Sequence, residues 1–156
     1  MSGIGLYFHV PFCRRKCSYC NFYSAPATSE QMAAYTEAVC RNLRHYTSNT
    51  VADTLYFGGG TPSLLAPEQL EQILACAAAC FSIPPDAEIT LEANPDSAGD
   101  WKMLRSLRRA GFNRLSLGMQ SADDQELRAI GRIHTMEQVR VPIDQLVSWL
   151  EEKLAY

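Results

Sequence analysis

Apolar positions along this chain alternate between short strand-like runs and longer stretches that recur every three to four residues. Ile4 to Val10 is β-rich, with Tyr7, Phe8 and Val10, and is short enough for a buried strand. From Ser29 to about Tyr46 the apolar positions Met32, Tyr35, Val39, Cys40, Leu43 and Tyr46 keep helical spacing behind an N-cap at Thr28 or Ser29. Asp53 to Phe57 predicts a second strand, running into Gly58-Gly59-Gly60-Thr61-Pro62. Pro67 suits the first turn of a helix reaching about Phe81, with Leu70, Ile73, Leu74, Ala77, Ala78 and Phe81 inward. Glu88 to Ala93 alternates as a third strand and ends in the turn signal Asn94-Pro95-Asp96. Asp100 to Ala110 predicts a helix closed by Gly111. Arg114 to Met119 gives a fourth strand, followed by Gln120-Ser121 and a helix from Asp123-Asp124 to near Gly131-Arg132, with Leu127 and Ile130 inward.

Strand, loop and helix thus repeat four times. Each crossover contains a helix and is long enough for parallel pairing, so the pattern predicts an α/β fold with a parallel sheet. Ligands in such folds bind beyond the carboxyl ends of the strands, where the loop after Val10, the glycine turn, Glu92 and Gln120 all fall.

The loop after the first strand carries the chemistry. Cys13, Cys17 and Cys20 form C-x3-C-x2-C, with Arg14, Arg15 and Lys16 supplying positive charge that favours ionised thiols. Three thiolates from one loop suit a soft centre. Zinc takes four tight ligands, and His9 is a candidate fourth ligand; iron-sulfur clusters are also normally held by four thiolates. A cubane held by three cysteines keeps one iron open for a small-molecule cofactor, and three structural thiols remain the bland alternative. The glycine turn allows close approach to the main chain and leaves amide groups uncovered. It lacks G-x-G-x-x-G and Walker spacing, which disfavours dinucleotide or P-loop binding. Glu92, at a strand's carboxyl end, is a candidate for holding a ligand hydroxyl or ammonium. Cys40 sits on a buried helical stripe, and Cys76 and Cys80 share a helix face; close packing accounts for all three.

Composition narrows the class. A chain of 156 residues that is 47% hydrophobic can build one ordinary core, and a net charge of -3 without a basic patch argues against nucleic acid. No run approaches a membrane span, and the N-terminus has no signal-peptide pattern, so a cytoplasmic address is expected and the six cysteines read as thiols or metal ligands rather than disulfides.

The cysteine loop, with Tyr7, His9, Pro11, Phe12 and Tyr19 around it, resembles the cluster loop of radical S-adenosylmethionine (SAM) enzymes, and within them the oxygen-independent coproporphyrinogen III oxidase and HemW haem-chaperone family. TLYFGGGTP, EITLEANPD, GFNRLSLGMQS and GRIHT stand in family order, so the likeness covers about Leu6 to Thr135. It implies a partial (β/α)6 barrel and a [4Fe-4S] cluster on Cys13, Cys17 and Cys20. It also implies SAM contacts from Tyr7, Tyr19, Gly59, Gly60, Thr61, Glu92, Gln120 and Arg132. The implied chemistry is one-electron reduction of SAM to methionine and a 5′-deoxyadenosyl radical, fed by a flavodoxin- or ferredoxin-type reductant, with haem or porphyrin as the further ligand. The oxidase branch carries another cysteine two residues past the third; Phe22 stands there, which leans to HemW.

After Thr135 the likeness breaks. Residues 1–135 are expected to form the N-terminal part of the core domain, with about four parallel strands, and 136–156 a divergent tail: Pro142, then a helix with Ile143, Leu146, Val147, Leu150 and Leu154. The barrel is expected to be incomplete, the family's C-terminal region for haem or substrate to be absent, and the open fourth strand to invite a second copy. A noncatalytic cluster- or zinc-binding remnant is the reading from another functional class.

Overall fold

The computed structural model describes residues 3–46, 50–98, 100–141 and 143–144. Its elements run β1 (Ile4–Val10), α1 (Ser29–Leu43), β2 (Ala52–Gly59), a 3-10 turn (Pro62–Leu64), α2 (Pro67–Cys80), β3 (Glu88–Ala93), α3 (Pro95–Ala98), α4 (Trp101–Ala110), β4 (Arg114–Leu117) and α5 (Asp124–Ala129). The four strands form one open parallel sheet in the order β1-β2-β3-β4.

Register sorts the side chains. Leu6, Phe8 and Val10 pair across to Leu55, Phe57 and Gly59, and Leu55 and Phe57 to Ile89 and Leu91, so one face of the sheet is apolar. The helices cover that face: Phe8, Val10, Leu55, Phe57 and Leu91 share one core with Leu43 of α1, Leu70, Ile73 and Leu74 of α2, and Leu107 of α4. Strands that each add to the same edge through crossovers of one hand keep their helices on one side, as in a barrel wall. The opposite face carries Tyr7, His9, Tyr56, Thr90, Glu92, Arg114 and Ser116. β1 is therefore half open rather than buried on both faces: Phe8 is covered while Tyr7 is 58% exposed.

Local signals set the ends of the helices. Thr28 and Gln31 form a reciprocal capping box on α1, and Asp100 caps α4, which stops at Gly111 in the left-handed region (φ 115°). Several expectations shift. β2 runs on into Gly58 and Gly59 because both pair with β1, and β4 stops at Leu117, just before a turn in which Gln120 has φ 70°. Asn94-Pro95-Asp96 opens the short α3 instead of a simple turn, and Ala78 faces solvent. Residues 136–141 are already helical ahead of position 142, with Val139 buried, and Ile143 is exposed. Leu146, Val147, Leu150 and Leu154 of the expected tail helix lie outside the described residues. Among the described residues no helix is long and apolar enough to cross a membrane.

Candidate functional site

The segment after β1 is tied back onto the fold at several points. Pro11 and Cys13 hydrogen-bond with Ala25, closing the base of the loop. The Cys20 amide donates to the Cys17 carbonyl at 3.1 Å, and Lys16 Nζ donates to the Phe22 carbonyl at 3.0 Å. Ser18 Oγ donates to the Ile130 carbonyl, joining the loop to the end of α5. Cys13, Cys17 and Cys20 are free and half-buried.

All three sulfur-bearing residues line one cleft of about 380 Å³ at the carboxyl ends of the strands. Its walls include Tyr19, Gly59, Gly60, Thr61, Glu92, Gln120 and Arg132, so the fold brings these candidate residues together with the cysteines. Phe22 and Asn94 also line it. Tyr7 does not. It lies beside the cleft, stacked on Tyr56 with ring centroids 6.0 Å apart, and burial and the Glu92 carboxylate push its phenol up. Burial likewise raises the Tyr19 phenol, with Arg132 pulling the other way.

The glycine turn works differently from the sequence expectation. The Gly60 amide donates to the Val10 carbonyl at 2.8 Å, the Thr61 amide to the Phe12 carbonyl at 2.6 Å, and the Gly59 amide to Glu92 Oε2 at 3.1 Å. These amides are engaged, so a ligand here meets a glycine surface without free N–H donors from these three residues. Close approach is nevertheless required. A Cβ on Gly60 would stand 2.4 Å from the Phe12 carbonyl oxygen, and Gly59 has φ 111° with the His9 ring packed against it.

Glu92 is fixed before any ligand arrives. Its carboxylate accepts from Tyr56 Oη at 2.6 Å as well as from Gly59, and this bond raises the Tyr56 phenol. Arg132 donates to Asn94 Oδ1 at 3.0 Å and to the Gly118 carbonyl at 3.1 Å, and its Nη1 lies 3.9 Å from Cys17 Sγ. Asn94 Nδ2 in turn reaches Thr61 Oγ1 at 3.0 Å, and Thr61 Oγ1 reaches Cys13 Sγ at 3.6 Å. Tyr56 and Asn94 are site residues that the sequence pattern does not single out. Strand alternation that puts Tyr56 and Glu92 on one face was the available signal for the first; Asn94 carried only a turn signal.

His9 as a zinc ligand is corrected. Its Nε2 hydrogen-bonds the Tyr23 carbonyl at 2.9 Å and its Nδ1 the Tyr7 hydroxyl at 3.3 Å, so both ring nitrogens have partners other than the thiols. Among the described residues no three His, Cys, Asp or Glu side chains are placed to hold a single ion. The donor set does fit a cubane, because there each thiolate binds its own iron and the three need not converge on one point. Three free thiols line one cleft, with the Thr61 hydroxyl beside Cys13 and the Arg132 guanidinium beside Cys17, polar neighbours of the kind that surround thiolate-held metal centres.

The sequence pattern of the Radical SAM superfamily matches residues 7–145. The chain belongs to that superfamily. It is 40% identical over 133 residues to bovine "Radical S-adenosyl methionine domain-containing protein 1, mitochondrial", covering 83% of this chain and 30% of that protein. It is 36% identical over 140 residues to "Heme chaperone HemW" of Lactococcus lactis, covering 90% and 36%. It is 35% identical over 150 residues to "Oxygen-independent coproporphyrinogen III oxidase" of Bradyrhizobium diazoefficiens, covering 93% and 33%. The solved structure of coproporphyrinogen III oxidase (HemN) from Escherichia coli, a radical SAM enzyme, superposes with a TM-score of 0.84 at 27% identity, over 92% of this chain and 34% of that one. The radical SAM chain thus spans about a third of the length of these relatives.

Proposed function

We propose that this chain is a radical SAM protein of the heme chaperone type, with Cys13, Cys17 and Cys20 holding a [4Fe-4S] cluster whose fourth iron takes SAM. The observation that carries the reading is the single cleft lined by the three cysteines together with Gly59, Gly60, Thr61, Glu92, Gln120 and Arg132. When bound, the cluster supplies the electron for reductive cleavage of SAM. The protein's part is placement. Glu92, held by Tyr56 and Gly59, presents an acceptor for an ammonium or hydroxyl of the ligand. Tyr19 and Gln120 wall the cleft, while Arg132 and Arg15 bring positive charge to the thiolate side. Tyr7 supports this wall through Tyr56.

Haem or porphyrin as the further ligand and a flavodoxin- or ferredoxin-type electron donor go with this reading. So do the division at residue 135 and self-association through the open edge of β4. A cytoplasmic address goes with this reading, and a mitochondrial one with the bovine relative's name; cell fractionation separates them.

The test is anaerobic reconstitution of the full chain, with iron and sulfide counted and SAM binding measured by equilibrium dialysis. Cluster assembly that is lost in Cys13→Ala, Cys17→Ala and Cys20→Ala supports the reading; a protein that takes up zinc and no iron overturns it. The second reading, coproporphyrinogen III oxidation, is favoured by the HemN superposition and opposed by Phe22 in the cleft wall. Turnover of coproporphyrinogen by the reconstituted protein would decide for it.

A further inference from the structure

We propose that Asn94 fixes the direction of a hydrogen-bond chain ending on two of the three cysteine sulfurs, and thereby sets the reduction potential of a cluster held there. The inference rests on the cluster reading above. Its logic is the donor and acceptor inventory of the side chains. A guanidinium only donates, so the Asn94 atom 3.0 Å from Arg132 Nη1 must be the amide oxygen. The other amide atom is then the NH2 group, and it donates to Thr61 Oγ1 at 3.0 Å. Thr61 Oγ1 therefore accepts from Asn94, and its own single proton is left for Cys13 Sγ at 3.6 Å. Thr61 is buried at 3% exposure, which limits competition from solvent for that proton.

Both ends of the chain meet the cysteine loop. Arg132, anchored on Asn94 and on the Gly118 carbonyl, places Nη1 3.9 Å from Cys17 Sγ. Asn94 is held on its backbone side by Ser97 Oγ, which accepts from the Asn94 amide at 3.2 Å. Donors aimed at cluster sulfurs offset negative charge and favour the reduced state, raising the potential. Asn94 touches neither sulfur, so it is a positioning residue acting through Thr61 and Arg132.

Asn94→Asp keeps the shape and reverses the chemistry. A carboxylate only accepts, so it would keep Arg132 and also take the Thr61 proton away from Cys13. The experiment is a redox titration of the reconstituted full chain, parent against N94D, T61V, T61S and the N94D/T61V double variant. The expected result is a more negative potential in N94D and in T61V, a near-parent value in T61S, and a fall in the double variant smaller than the sum of the two. A parent-like potential in T61V, or strictly additive shifts, would overturn the inference. The direction of the chain is read separately in the cluster-free chain by nuclear magnetic resonance. Asn94 side-chain amide protons close to the Thr61 methyl group support it, and amide protons facing Arg132 overturn it. A parent that assembles no cluster fails the reading of the preceding subsection, and the resonance measurement still decides the hydrogen-bond direction.

Discussion

Tyr56 Oη donates a 2.6 Å hydrogen bond to Glu92 Oε1 across the polar face of the sheet, from the middle of β2 to the carboxyl end of β3. Hydrogen bonds to charged groups contribute about 1.5–3 kcal/mol. Tyr56→Phe is expected to cost stability on that order in urea unfolding, within ~1.5–3 kcal/mol. It is also expected to weaken SAM binding severalfold by freeing the Glu92 carboxylate to swing. Dialysis showing unchanged SAM affinity would mean that Glu92 does not need Tyr56 to meet its ligand.

Gly60 has no room for a side chain. Its added Cβ would stand 2.4 Å from the Phe12 carbonyl oxygen and 2.9 Å from Phe12 N and C, all backbone atoms of the cysteine loop. Gly60→Ala is expected to push the loop off the sheet, with sharp loss of iron on reconstitution but a cooperative melt retained, because the buried strand and helix residues of the core stay in place and Phe12, packed edge-on to Tyr35, is at its margin. Iron content and circular dichroism on one sample check both parts.

Four tyrosines give the chain an alkaline limit. Burial pushes Tyr35 up to about 12, while Tyr7 and Tyr19, raised chiefly by burial, and Tyr56, raised chiefly by its bond to Glu92, shift in the same direction. A phenol whose folded value lies above its unfolded value of 10.0 stabilises the fold fully below that pH and loses the contribution as pH rises through the folded value. Stability is therefore expected to fall between pH 9.0 and about 12, the buried Cys40 thiol, also pushed up to about 12, contributing from the lower end, and Tyr35→Phe, which also loses the 2.7 Å bond to the His9 carbonyl, should flatten part of that fall. Urea unfolding at stepped pH measures it; a fall that begins in the neutral range would point to other groups.

The apolar face should dominate the fold's stability. Phe57 is fully buried and stacks on Phe8 at 4.5 Å and edge-on to Phe112 at 5.2 Å. Phe57→Ala is expected to cost about 3–5 kcal/mol, enough to unfold a marginal domain. Thermal melting gives the answer, and a loss under about 1 kcal/mol would be at odds with a core centred on that ring.

Much of this was legible in the sequence, because hydrophobic period and turn chemistry are local. The alternation in EITLEA and the helical spacing around Leu70, Ile73 and Leu74 place β3 and α2 within a residue or so of where they lie. Parallel pairing follows from crossover lengths, and the cysteine loop, Glu92 and Gln120 reach one cleft because they lie at or beyond neighbouring strand ends, while Arg132 returns to it from the end of α5. What escaped was set by contacts distant in sequence. Asn94 reads as a turn residue until Arg132 and Thr61 arrive on either side of its amide. His9 reads as a free ligand until Tyr7 and the Tyr23 carbonyl take its nitrogens. The glycine amides read as open donors until Val10, Phe12 and Glu92 take them, since no local pattern reports which strand end will be beside the turn.

A cluster in the cysteine cleft with one iron open to SAM has a direct spectroscopic signature. Electron paramagnetic resonance of the anaerobically reconstituted, reduced full chain, recorded with and without SAM, reads it. A [4Fe-4S]+ signal whose shape changes when SAM is added is expected, with that response lost in Glu92→Gln before the signal itself is lost. A reduced cluster whose spectrum is the same with and without SAM, or no cluster at all, would contradict it.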